Sequence, residues 1–430
     1  MKKVLITLAA IGVIWTPLVV SAQGTGITIF GRVQTEYSGV NVGGRDDSGA
    51  PIPYQGGIGD NSRSSRWGLQ MTENLGRGLK AIARLEEGMN TGSGTARNPR
   101  EQWVGLSGSQ WGEVKFGRVQ SPFKDFAGGM TIDPFAYTSL QANGAGGTMT
   151  GSYSGLSEHM TSDSGMGSGA NSFVNGAVRI DSITVRGFSF SGLFKPVQSI
   201  YHTNPMSFWG LPPNQAVGNN EIDFQIASKY TTNYKGHDLS MFGGYSRDAM
   251  SAQIKQFGSG FGFTGISLQP EESWRIGGTW KHQKIQIVGQ YESISNAVGG
   301  ANCTLASGLA VSESVIGTGQ CNSAMNIFGS GNIWHAGANY RSGNTLFVAQ
   351  GGMTHANANA FSETFSWGSY DLILPATGAK SFTIGAIHSL SRRTTVFGGF
   401  QRVVPIGMDW NRVAREDTRN TWTVGMRHNF

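Results

Sequence analysis

Cysteine is nearly missing from this chain, with Cys303 and Cys321 the only two among 430 residues. Neither has a His, Cys or acidic neighbour at metal-ligand spacing, so no metal site is indicated around them. They lie 18 positions apart in a Gly- and Ser-rich stretch. In an exported protein that placement predicts a loop disulfide, with two free loop thiols as the alternative. Charge is scarce too, at 14% of residues. No basic stretch is interleaved with aromatics, which argues against nucleic-acid binding. Beyond the N-terminus no apolar run reaches the ~18 residues of a membrane helix. The eight His are scattered, and neither H-E-x-x-H nor G-x-S-x-G occurs, so enzymatic chemistry finds no support. Gly165-Met166-Gly167 and Gly258-Ser259-Gly260 do not stand between a strand and a helix and make poor phosphate loops. Pro-rich and charged linkers are also absent, although a soluble chain of this length would usually divide into domains.

What is abundant is glycine, at 64 residues, together with 23 Phe and 11 Trp. Mean hydropathy is nevertheless −0.21. Residues 1–22 pair a basic start (Lys2, Lys3) with an apolar run and the small-residue exit Val20-Ser21-Ala22. That is the anatomy of a signal peptide cleaved after Ala22, leaving residues 23–430 as a single domain. Removing Lys2 and Lys3 from 33 basic residues leaves 31 against 27 acidic, a net charge of +4.

The last ten residues, Thr421 to Phe430, alternate in character. Trp422, Val424, Met426, His428 and Phe430 share one face of a strand, and Thr423, Gly425, Arg427 and Asn429 share the other. Ten residues also suffice for a tilted strand to cross a bilayer. A strand in lipid must belong to a closed barrel, because an open edge would leave its backbone groups unpaired. Comparable segments are expected near 27–40, 64–73, 79–89, 100–109, 112–119, 177–186, 188–197 and 222–232. Eight more fall near 237–247, 272–282, 285–295, 332–341, 345–354, 380–390, 394–403 and 421–430. Their connections alternate between short turns and long loops, and the longest spans about 120–176. An even strand number with this rhythm predicts an all-β, 16-stranded antiparallel transmembrane barrel, wide enough for water.

Several stretches resemble the Gram-negative general porins, most closely their beta-proteobacterial branch. They are Ile29-Phe30-Gly31-Arg32-Val33, Ser65-Arg66-Trp67-Gly68-Leu69, and Thr72 through Ala81 (TENLGRGLKA). Val104-Gly105-Leu106-Ser107-Gly108, Gly117-Arg118 and the ending Val424 through Phe430 (VGMRHNF) continue the match. The resemblance implies a homotrimer in outer-membrane lipid, with a long third loop folded into the pore. It implies no cofactor, and makes Phe430 the signal read by the outer-membrane assembly machinery. Passive diffusion of ions and small hydrophilic solutes is the function it implies. A substrate-specific channel or an adhesion barrel is the alternative.

Charged residues then indicate which face is wet, since a Lys or Arg facing lipid at mid-membrane costs on the order of 2–4 kcal/mol. Parity turns Arg32, Glu36, Arg66, Arg84 and Glu86 toward the lumen, with Lys80, Lys229, Arg275, Lys281 and Arg427 as further candidates. For Lys80 and Lys281, beside short turns, snorkelling into headgroup water is the other reading. Arg118 shares parity with the apolar Val114 and Phe116. A bulge at Gly117 would turn it inward, where the resemblance also places it, on the basic side of a constriction. Asp125 and Asp133, with Glu158 and Asp163 behind them, are the candidate carboxylates of the loop, ordinary solvated acids being the alternative. The lining is basic on balance, so a mild anion preference is expected.

Overall fold

The computed structural model describes residues 26–43, 50–51, 53–60, 64–92, 98–142, 173–195, 200–201, 216–217, 223–248, 263–264, 271–297, 329–356, 359–365, 368–374, 377–406 and 418–430. The first strands are β1 (Gly26–Val42), β2 (Gln55–Gly59), β3 (Arg66–Gly76), β4 (Leu79–Gly88), β5 (Asn98–Gly108), β6 (Gly112–Gln120), β7 (Phe173–Ser182) and β8 (Phe188–Lys195). Next come β9 (Ile200–Tyr201), β10 (Ala216–Val217), β11 (Asp223–Tyr234), β12 (His237–Asp248), β13 (Phe263–Thr264), β14 (Glu271–His282) and β15 (Ile285–Ala297). The remainder are β16 (Gly329–Ser342), β17 (Thr345–Ala356), β18 (Asn359–Phe365), β19 (Gly368–Leu374), β20 (Thr377–Ser389), β21 (Thr394–Ile406) and β22 (Arg419–Asn429).

Sixteen of these form one antiparallel ring, running β1, β3 to β8, β11, β12, β14 to β17, β20, β21 and β22. The ring closes where β22 pairs with β1, from Arg32↔Asn429 to Val42↔Arg419. Phe430 completes the seam: its N–H donates to the Gly31 carbonyl at 3.0 Å, and the Gly31 N–H donates to its carbonyl at 3.1 Å. Each of the sixteen expected segments is a strand of this ring. The largest displacement is at 177–186, where β7 begins four residues earlier. There the β6–β7 register slips between Gly117 and Val119, with Gly176 at φ 60°. The bulge interrupts the alternation of faces at the start of β7.

The expectation placed no strands inside the long connections, yet several occur there. Short β2 continues the second position of the ring above β3, pairing Gln55 with Val40. Strands β13, β18 and β19 make a separate small sheet, and β9 pairs with β10. Short turns close the opposite end of the barrel. In Arg77-Gly78, Arg186-Gly187 and Lys235-Gly236 both residues have positive φ, between 50° and 88°. Such mirror-image turns match the right-handed twist of the paired strands.

Burial is reversed relative to a water-soluble barrel. Ile29 is 64% exposed and Val424 61%, on the outer face with Met241, Ile276 and Ile384. Buried Gln34, Gln225, Gln290, Gln350 and Gln401 point the other way. An outer aromatic row, Phe224, Tyr245, Trp274, Tyr291 and Trp334, follows the upper part of neighbouring strands. Apolar-out, polar-in alternation with an aromatic girdle is the pattern that lipid outside and water inside impose.

Candidate functional site in the barrel lumen

Residues 121–142 leave the end of β6 and run along the inner wall. They contain α1 (Pro122–Asp125) and a short 3-10 turn at Gly129–Thr131. Pro122 suits the first helical position, where its missing N–H goes unused. Gly128, at φ 75°, brings the backbone against Phe242 and Gln290, where any Cβ would collide. Phe123, Phe135 and Leu140 are completely buried in this segment. Phe135 and Leu140 pack with Val348 and Phe397 of the wall, and Ala127 and Ile132 with Phe242 and Val288. Gly385 and Gly399 leave the space these rings need, since a Cβ there would lie within 3 Å of Phe135 or Leu140.

Polar groups of the wall hold the segment at both ends. Arg275, 1% exposed, donates to the carbonyls of Phe123 and Ala127 at 2.7 and 3.1 Å and pairs with Glu292 at 2.6 Å. Arg179 pairs with Asp125 at 2.8 Å. Farther along, both Glu36 carboxylate oxygens accept from the Ser139 N–H at 3.2 and 3.3 Å. Asp133 accepts from the N–H groups of Phe135 and Ala142 and from the Gln350 amide. Arg427 donates to the Ala136 carbonyl at 2.9 Å and to Gln34 at 2.6 Å.

The inner wall of β3 to β5 carries the basic cluster. Glu86 binds Arg84 and Arg100, each at 2.5 Å, with Arg66 at 3.7 Å. Glu101 takes Arg84 at 3.1 Å and accepts from the Trp103 indole N–H. Arg32 joins from β1, donating to the Asn429 side chain at 2.9 Å. Lys124 of the inserted segment lies 3.3 Å from the centre of the Phe173 ring. Burial, with Arg100 and Arg66 nearby, holds its ammonium well below the ordinary lysine range. The cations therefore outnumber the carboxylates on this arc, and the excess is a fixed positive field facing the lumen.

The residues singled out from sequence fall into three groups. Arg32, Arg66, Arg84 and Glu86 come together in the cluster just described. Glu36, Asp125 and Asp133 make other contacts. Glu36 and Asp133 are buried holders of the loop backbone, and Asp125 is engaged by Arg179. The acids that face these arginines are instead on the same wall, at Glu86 and Glu101. Arg118 shares the Phe173 ring with Arg100 and Lys124, 5.4 Å from its centre. The register slip at Gly117 is present toward β7, but toward β5 Arg118 remains opposite Gln102, beside the outward-facing Val104. Its guanidinium donates to the carbonyls of Pro99 and Phe173, both at 3.3 Å. Lys80 and Lys281 are exposed beside short turns. Lys229 covers the Phe126 ring at 4.6 Å, and Arg275 is an anchor, not an open lining residue. Cys303, Cys321, Glu158, Asp163 and residues 1–22 lie outside the described residues.

Sequence parity missed Arg100 and Glu101. The β4–β5 register slips between Leu85 and Glu87, and consecutive residues Arg100 and Glu101 are both buried beside Glu86 and Arg84. The only signal available was Pro99, a residue that cannot donate to a ladder and often marks such an irregularity. Tyr137 of the inserted segment is surrounded by the guanidinium groups of Arg32, Arg66 and Arg100.

A family model described as Gram-negative porin matches residues 7–403. An outer membrane porin protein of Bordetella pertussis is 34% identical over 132 residues, covering 28% of this chain and 34% of that protein. Outer membrane porin protein 32 of Delftia acidovorans is 37% identical over 126 residues, covering 28% of this chain and 33% of that protein. The chain thus spans about a third of the length of the curated relatives it matches. An anion-selective porin from Comamonas acidovorans superposes with a TM-score of 0.57 at 18% identity, over 94% of this chain and 100% of that one. OmpF of Salmonella typhi, in complex with daunomycin, gives 0.53 at 12% identity, over 94% and 97%. These likenesses show a common fold.

Proposed function

Because the chain belongs to the Gram-negative porin family, we propose that it forms a water-filled outer-membrane channel for passive passage of ions and small hydrophilic solutes, with a mild preference for anions. One observation carries this reading: a closed sixteen-strand ring with a polar inner face, lined by residues 121–142 and by a wall of arginines against which that segment packs. Closure pairs the edge of every strand, which lipid requires. A ring of this size leaves room for water, whereas about eight strands would be filled by their own side chains.

Solutes pass Arg32, Arg66, Arg84 and Arg100, which among the described residues pair with Glu86 and Glu101. That field concentrates anions and raises the barrier for cations. An apolar solute crossing it must disorder the oriented water without offering hydrogen bonds in return. Homotrimer assembly, reading of Phe430 by the assembly machinery, and cleavage after Ala22 belong to the same proposal, supported by family membership and the terminal sequences.

Planar-bilayer recording of the purified protein tests it. Conductance steps in multiples of three and a reversal potential on the anion side of a KCl gradient are expected. Clear cation selectivity, or no conductance from folded protein, overturns the reading.

A further inference from the structure

Tyr137 lies in the inserted segment with φ 65°, a left-handed conformation that is uncommon for a bulky residue. Its backbone is held on both sides. The N–H donates to the Gln141 side chain at 3.0 Å, and the carbonyl accepts from the Gln34 amide at 2.5 Å and from Arg427 at 3.4 Å. The side chain therefore has a set direction, and three guanidinium groups meet its ring. The Cζ atoms of Arg66, Arg32 and Arg100 lie 5.0, 5.6 and 5.8 Å from the ring centre.

Each of these arginines is already tied to the wall elsewhere: Arg32 to Asn429, and Arg66 and Arg100 to Glu86. Three cations around one carboxylate repel one another, and a flexible arginine relieves that strain by swinging away. An aromatic face is electron-rich and attracts guanidinium, and the Tyr137 hydroxyl also accepts a hydrogen bond from Arg100.

We propose that Tyr137 is the positioning residue of the constriction, its ring holding Arg32, Arg66 and Arg100 together so that the channel's preference for anions is realised. This rests on the anion-preferring reading above and goes further by assigning the preference to arginine placement instead of arginine number. Tyr137 acts through the arginines it orders.

The test compares Tyr137→Phe, Tyr137→Leu and wild type, each checked for folding by far-UV circular dichroism, by reversal potential in a KCl gradient. Phe keeps the aromatic face, while Leu keeps bulk and apolarity without it. Leu is expected to lower the anion-over-cation permeability ratio roughly two- to fivefold, the size of a lost partly exposed cation–π set, and Phe, which loses only the hydroxyl's bond with Arg100, to lower it less. In an Arg66→Ala, Arg100→Ala background the Leu substitution should have little further effect. Equal ratios for wild type, Phe and Leu overturn the inference, as do equal losses in Phe and Leu. A wild-type channel without anion preference overturns the earlier reading instead, so the two failures are distinguishable.

Discussion

Along β14 and β15 the inner wall is covered by the inserted segment, whereas along β3 to β5 it carries the arginine cluster that faces the lumen, and arginines occur on both. Arg275 is 1% exposed, meets one carboxylate and spends its donors on backbone carbonyls. Arg84 has a side chain 26% exposed, shares Glu86 with Arg66 and Arg100, and pairs with Glu101. Both are lumen-facing arginines on a barrel strand, and parity cannot tell them apart. Coverage decides their work. Where the segment excludes water, charge must be matched and becomes an anchor; where water remains, excess charge is tolerated and becomes a field.

Breaking the covered arc should have the largest effect. Arg275→Ala leaves Glu292 buried without its partner and should destabilise by about 3–5 kcal/mol, read by denaturant unfolding in detergent. Replacing both partners together, Arg275→Met with Glu292→Leu, should recover much of that loss. A single substitution as stable as wild type would mean that the arc is not held as described. On the other arc, Glu86→Gln weakens the acceptor of the buried Arg100 and should cost about 1–3 kcal/mol while increasing anion preference. An unchanged reversal potential would detach Glu86 from the field.

Asp133→Asn keeps an oxygen but loses the charge that accepts two loop N–H groups, an expected loss of roughly 1 kcal/mol. Noisier single-channel current would accompany it if the loop loosens; a quiet, wild-type trace would count against its anchoring role. Arg84→Ala should change stability least, by under about 1 kcal/mol, because Arg66 and Arg100 still compensate Glu86 and the Arg84 side chain is itself partly exposed. Its effect should appear in permeability and shrink as ionic strength rises, since a Debye length of about 3 Å at 1 M salt screens the field. A selectivity change that persists at high salt would point to pore shape, not charge.

Much of this was legible beforehand, for reasons visible in particular residues. Ile27, Ile29 and Val33 against Thr28, Arg32 and Gln34 announce a two-faced strand, and Arg77-Gly78 announces a turn. Such signals are local, depending on residues one to four apart. The fate of Glu36, Asp125 and Asp133 was not legible, because each is decided by a partner far along the chain: Ser139, Arg179 and Gln350. The inward placement of consecutive Arg100 and Glu101 was hidden for another reason. A register slip suspends the alternation from which faces are read.

The sequence by itself determined the strand number, the short and long ends, the lipid face and the basic balance of the interior. Period and composition express these directly, because lipid outside and water inside act on every residue independently. Only the tertiary structure decided which lumenal charges are spent and which are left facing the lumen. That outcome depends on where residues 121–142 come to rest, and so on long-range packing of Phe123, Phe135 and Leu140 against a wall assembled from the whole chain.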